Sequence, residues 1–220
     1  MVLSFFRRGE PPLEQIERQI VEMLGDARHS FDLAMTSLLA TDEGPVDAEV
    51  YRTDQRINDA ERQIRRELVV HSAVQGTQNL ATVLAHLLLI KKIERIGDQA
   101  KNIMDLRSEG VALSGAADAD DLRQARNDVS DAYADLLRII GNNEHERVED
   151  YRTRVDELVA DYEQALRDLI HSDQPASEAV PRALLYRYLK RIAANLAGIA
   201  STLTDPLDQI DYRDGDDTED

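Results

Sequence analysis

The chain of 220 residues carries 26 Lys and Arg against 43 Asp and Glu, a formal net charge of −17. This argues against nucleic acid as a ligand, because neutralising phosphates takes a clustered basic face and none is visible. Cys and Trp are absent, which excludes disulfides, thiolate metal sites and a thiol nucleophile. The longest apolar run, Val83 to Ile90, is interrupted by His86 and falls well short of the roughly 20 residues that span a bilayer.

In chain order, Met1 to Arg8 places its charges after a short apolar patch, the reverse of a secretion signal, so the expected address is cytoplasmic. Phe5-Phe6-Arg7-Arg8 could touch a membrane surface, where each basic residue adds about 1 kcal/mol; a frayed arm over residues 1–11 is the favoured reading. Gly and Pro then cluster at punctuation points: Pro11-Pro12, Gly44-Pro45, Gly76, Ser108 to Asp118, Gly141-Asn142-Asn143, Ser172 to Ser177 and Asp205-Pro206. Between them the sequence predicts six helices near residues 12–41, 46–72, 78–107, 119–141, 144–171 and 177–204. Each bears an apolar stripe at helical spacing, such as Ile16, Ile20, Leu24, Ala27, Phe31, Ala34 and Leu38 in the first. The expected fold is all-α, six long helices forming two tandem antiparallel three-helix bundles.

The six helices read as two copies of one three-helix unit. At an offset of 96, the segment from Glu94 to Ile103 falls on that from Lys190 to Ile199, with Arg, two Ile and the small Gly97/Ala193 position retained. At an offset of 102, Asp54, Ile57, Glu61, Ile64 and Leu68 fall on Asp156, Val159, Glu163, Leu166 and Ile170. The expected division is therefore an arm (1–11), a first repeat (12–110), a diverged second repeat (111–204) and an acidic tail (205–220). That tail carries eight acids and one Arg, −7 of the total charge, and is expected to be disordered and solvated.

The third helix holds the most informative pattern. Leu89, Ile93, Ile96, Ala100 and Ile103 form its core stripe, and roughly opposite lie Glu94, Asp98 and Asn102 at i, i+4 and i+8. Like charges at i,i+4 repel by a few tenths of a kcal/mol, so this pair is either offset by Lys91, Arg95 and Lys101 on a solvated face or serves a cation. The second helix carries Asp54, Asn58 and Glu61 beside its own stripe. Two adjacent antiparallel helices could bring these six side chains together, and oxygen-only donors suit hard cations and iron.

The run Leu88-Leu-Ile-Lys-Lys-Ile-Glu-Arg-Ile-Gly-Asp-Gln-Ala-Lys-Asn-Ile103 resembles the signature third-helix segment of the PhoU family, and Asp54-Gln-Arg-Ile-Asn58 with Glu61 resembles its second-helix pattern. The resemblance implies a cytoplasmic, non-enzymatic adaptor that restrains phosphate uptake and phosphate-starvation signalling. It implies as partners the ATPase subunit of a phosphate ABC importer and a sensor histidine kinase, with peripheral membrane association through them. It also implies a metal ion (Mg, Mn, Fe, Zn or Ca) at Glu94, Asp98 and Asp54, with Asn58, Glu61 and Asn102 as second-rank ligands. In the second repeat the acidic pair becomes Lys190 and Ala194, and Asn102 becomes Gly198, so no matching metal site is expected there, although Asp156 and Glu163 survive.

Two other readings compete. A helical scaffold whose acidic face is merely hydrated needs no metal. A di-iron carboxylate oxidase needs Glu-x-x-His on two helices, and no Glu here has His three residues later; Glu67 and His71 are four apart. No Gly-rich phosphate loop and no Ser or Thr with a positioned His base is present. The exposed helix faces could support a homodimer, although no residue pattern marks its interface.

Overall fold

The computed structural model describes residues 11–40 and 47–210. The arm through Glu10, the Asp42 to Pro45 break and residues 211–220 of the acidic tail lie outside the described residues. Six α-helices follow one another: α1 (Pro11–Leu39), α2 (Asp47–Gln75), α3 (Leu80–Ser108), α4 (Ala119–Asn142), α5 (Val148–Ile170) and α6 (Ala176–Thr204). No strand occurs among the described residues.

The helix ends coincide with the punctuation in the sequence for physical reasons. Pro11 opens α1, where a missing N–H costs no intrahelical bond. Gly76, at φ +66°, turns the chain after α2 in a left-handed conformation that a side chain would oppose. Asn143 closes α4 in the same region at φ 57°, and the Glu144 N–H donates to the Ile139 carbonyl, 3.0 Å.

Within the first repeat, α1, α2 and α3 pack on one another; within the second, α5 lies mainly on α6. The repeats join through α3 against α6 and α1 against α4. The connection between them is short: the Leu113 N–H donates to the Leu38 carbonyl, 3.1 Å, and residues 109–117 line one pocket with Ser177, Glu178, Pro181 and Arg182. The C-terminal end of α3 thus meets the N-terminal end of α6, and the two repeats run in opposite directions. At the α1–α4 crossing Phe31 packs on Tyr133, ring centroids 5.8 Å apart, and Arg28 donates to Ser130 Oγ at 3.2 Å. These contacts join the first helix of one repeat to the first helix of the other.

The structure differs from the sequence reading in two places. First, the solvated face of α3 is narrow and runs through Leu80, Leu84, Leu88 and Arg95: besides Leu89, Ile93, Ile96, Ala100 and Ile103, the helix also buries Ile90, Lys92, Gly97, Gln99 and Met104, because α1, α2 and α6 pack on it. Glu94, Asp98 and Asn102 are consequently half-buried, not opposite the core in open solvent. Second, residues 205–210 fold back on the bundle: Asp205 accepts from Arg152 at 3.0 Å and Ile210 is buried.

Candidate metal centre

The antiparallel register of α2 and α3 is set by Ile57 and Gly97. A Cβ built on Gly97 would stand 3.1 Å from Ile57 Cδ1, closer than ordinary van der Waals contact, so the absence of a side chain permits this approach. One turn from that contact on each helix, the carboxylates of α2 face those of α3. The Tyr51 hydroxyl donates to Asp105 Oδ1 at 2.6 Å and fixes the far end of the same seam.

The seam is electrostatically unbalanced. Burial pushes the Asp54 carboxyl above its ordinary range, Glu94 and Asp105 push it further, and only Lys101 opposes them strongly. Asp98 is raised in the same way, first by burial and then by Glu94 and Asp54, against Lys101 and Lys91. A carboxylate is raised by neighbours of its own sign and by lost hydration. Asp54, Glu94 and Asp98 therefore share one acid-rich ledge, with Lys91 paired to Glu94 and Lys101 beside Asp54 and Asp98.

The other sequence-predicted residues take different partners. Asn58 Nδ2 donates to Asp54 Oδ2 at 3.3 Å, which orients that carboxylate. Glu61 is buried and pairs with Arg65 one turn on. Glu94 pairs with Lys91 at 2.6 Å. Asn102 is half-buried further along α3. Among the described residues no three Asp, Glu or His side chains converge closely enough to hold a metal in their present rotamers. The donor chemistry nevertheless suits a hard, partly hydrated cation, which needs only one or two carboxylates and keeps several waters.

The second repeat resolves the same electrostatic problem internally. Lys190, at the position of Glu94, reaches Glu163, at the position of Glu61, with Nζ to Oε2 2.9 Å. That hydrogen bond is the leading cause that holds the Glu163 carboxyl below its ordinary range. A lysine ammonium thus sits where the first repeat has the Glu94 carboxylate.

The family model for the PhoU domain matches residues 20–106, which span α1 to α3 and the whole acidic ledge. The first repeat is thus similar to a PhoU domain. Among solved structures, PhoU from Pseudomonas aeruginosa superposes with a TM-score of 0.75 at 21% identity, covering 87% of this chain and 95% of that one. The likeness extends the PhoU fold to the second repeat, beyond the span of the family model. No curated protein matches the chain. No described helix is long and apolar enough to cross a membrane.

Sequence reasoning named Lys101 but missed Tyr51, which holds Asp105 beside the ledge. It also missed a buried polar cluster at the other end of the repeat. Glu17 Oε1 lies 3.9 Å from His86 Nε2, and His71 and Asn79 meet at 3.3 Å. Burial, reinforced by Glu14, raises Glu17 to about 7, while burial and His71 lower His86 to about 4. The imidazole is therefore neutral near pH 7, and the contact is not an ion pair.

Proposed function

We propose that the chain is a cytoplasmic, non-catalytic regulator of phosphate uptake and phosphate-starvation signalling. It acts as a metal-binding helical adaptor between the ATPase subunit of a phosphate ABC importer and a sensor histidine kinase, and reaches the membrane through these partners. The observation that supports this reading is the half-buried, acid-rich ledge of Asp54, Glu94 and Asp98, where burial raises both aspartates, inside the stretch that matches the PhoU domain. A divalent or trivalent cation at that ledge would supply the positive charge that Lys190 supplies in the second repeat. Asp54 and Asp98 are the ligands best placed to hold it, with Glu94 joining on release from Lys91.

The test compares metal content of the purified chain with that of Glu94→Ala/Asp98→Ala by elemental mass spectrometry, with far-UV circular dichroism to verify the helices. Loss of bound metal with an unchanged spectrum is the expected result. Equal metal content in both proteins overturns the site. Affinity capture from phosphate-replete cells tests the partners, and recovery of neither the importer ATPase nor a histidine kinase by folded bait overturns the adaptor role.

A further inference from the structure

The end of the first repeat where α1 begins, α2 ends and α3 begins holds ionisable side chains in its interior. Glu17 of α1, His71 of α2 and His86 of α3 are 6%, 6% and 1% exposed. Glu17 Oε1 lies 3.9 Å from His86 Nε2, and His71 Nε2 lies 3.3 Å from Asn79 Nδ2. One titratable group from each helix of the three-helix unit is thus buried at a single junction. The carboxylate ledge at the other end of the repeat makes no use of them.

Few charges face this junction. From Leu68 to Ile90 no Asp, Glu, Lys or Arg occurs, so α2 and α3 bring only His71 and His86 to it as ionisable groups. Glu67, the last acid of α2, is held by Gln63 at 2.9 Å and Gln19 at 3.5 Å, and Arg66 borders the groove outside. On α1 itself, Glu14 repels a charge on Glu17 and Arg18 favours one, but burial outweighs both. Among the described residues no Lys or Arg forms an ion pair with Glu17; its described partner is His86. The side-chain contacts of α4 on α1, at Arg28 and Phe31, lie about three turns further along. An ionised Glu17 therefore meets no counter-charge, whereas a protonated one can donate to a neutral His86 ring after a side-chain shift of about 1 Å.

We propose that Glu17 and His86 form a proton-operated latch between α1 and α3. With Glu17 protonated, carboxyl and imidazole are both neutral and this end of the repeat stays closed. With Glu17 ionised, the first turns of α1 part from α3 and the carboxylate reaches water. Water is close by, because Gln15, Ile16 and His71 line a groove of about 420 Å³ between the start of α1 and the end of α2. Burial and Glu14 raise Glu17 from 4.5 to about 7, and burial and His71 lower His86 to about 4, so near neutrality Glu17 is the member of the pair that changes charge. A carboxyl that titrates at 4.5 when exposed and about 7 when enclosed makes the opening constant rise by up to about tenfold between pH 6 and pH 8. The latch couples proton concentration near neutrality to the seating of α1, whether or not the carboxylate ledge holds metal.

The test is amide hydrogen–deuterium exchange of the full chain at pH 6, 7 and 8 in chelator, read by mass spectrometry and divided by the exchange rate of the unfolded chain at each pH. Peptides covering residues 13–24 of α1 are compared with peptides covering residues 189–203 of α6. Opening of the α1 segment is expected to rise by about three- to tenfold from pH 6 to pH 8, that of the α6 segment to stay constant, and the rise to vanish in Glu17→Gln. The Glu17 carboxyl carbon, followed by NMR, is expected to titrate with the same midpoint as the opening. Opening of α1 that does not change with pH, or the same rise in Glu17→Gln, overturns the proposal. So does an equal rise in both segments, which would be global destabilisation, or a Glu17 midpoint at its ordinary 4.5. Glu17→Met, also without an ionisable group, carries the same expectation where Glu17→Gln fails to fold.

Discussion

Replacing Glu17 with Gln isolates the cost of a buried carboxylate in the first repeat. In the folded chain Glu17 titrates near 7 in place of 4.5, chiefly because burial strips water from the charged form. A folded acid with a raised pKa binds more protons than the unfolded chain between those two values, so its contribution to stability falls as pH rises from about 4.5 to about 7. The full displacement corresponds to about 3 kcal/mol, and relaxation of surrounding dipoles and water reduces the expectation to about 1–2 kcal/mol. His86 acts in the opposite sense: its pKa, lowered from 6.5 to about 4, makes stability rise with pH across that window. In the native chain the two slopes oppose each other between about 4.5 and 6.5. Glu17→Gln should leave stability unchanged at pH 4.5, where both side chains are neutral, and raise it by about 1–2 kcal/mol at pH 8. Urea denaturation followed at 222 nm at pH 4.5, 6 and 8 measures this directly. Equal or lower stability of the variant at pH 8 would refute the assignment of a costly buried charge to Glu17.

Three further outcomes follow from named contacts. Gly97→Leu inserts a side chain where a bare Cβ already stands 3.1 Å from Ile57 Cδ1. It should lower stability by about 1–3 kcal/mol and weaken metal binding by parting Asp54 from Asp98; denaturation and metal titration unchanged from wild type would contradict both. Lys190→Glu with Ala194→Asp recreates the acidic ledge in the second repeat. Loss of a part-exposed ion pair should cost about 0–1 kcal/mol in chelator, while metal content rises by about one ion per chain, as the repeat equivalence requires; unchanged metal content opposes the equivalence. Arg182→Ala removes two charge-assisted bonds to Asp118, 2.8 and 2.9 Å, and should cost about 1–3 kcal/mol near neutral pH. Because Arg182 holds Asp118 below its usual 3.8, that stabilisation is present above 3.8 and is lost as pH falls through the lowered folded value; a deficit that stayed constant into strong acid would argue against the pair.

Much of this architecture was legible because the information is local. Pro11, Gly76, Asn143 and Pro175 each stand at a helix end for a backbone reason, and the apolar stripes of α1 and α4 carry the 3.6-residue period of a helix with one covered face. The internal repeat was legible too, in the matched stripes of α2 with α5 and α3 with α6. What stayed hidden depends on distant partners. The solvated face of α3 is narrower than its own periodicity suggests because α6 packs on it as well as α1 and α2, and no pattern within α3 announces that third neighbour. Glu17 and His86 are 69 positions apart and meet only because α1 and α3 pack side by side. The fold-back of Asp205 to Ile210 likewise depends on Arg152 of α5.

The two repeats preserve one helical geometry and reverse its electrostatics. Ile57 against Gly97 in the first has Val159 and Ala193 at the corresponding positions of the second, so the small residue that admits close helix approach is kept on both sides. At the neighbouring position Glu94 becomes Lys190. Burial, with Glu94 adding to it, raises Asp54 and Asp98 in the first repeat, and the Lys190 hydrogen bond leads in lowering Glu163 in the second. A packing requirement alone would not distinguish Glu from Lys at that position, since both are long, flexible and half-buried here. The distinction is one of charge: Lys190 reaches across to Glu163 on the neighbouring helix, whereas Glu94 takes its cation, Lys91, from its own helix and so leaves the half-buried carboxylates of the α2–α3 seam without a cross-helix partner of this kind.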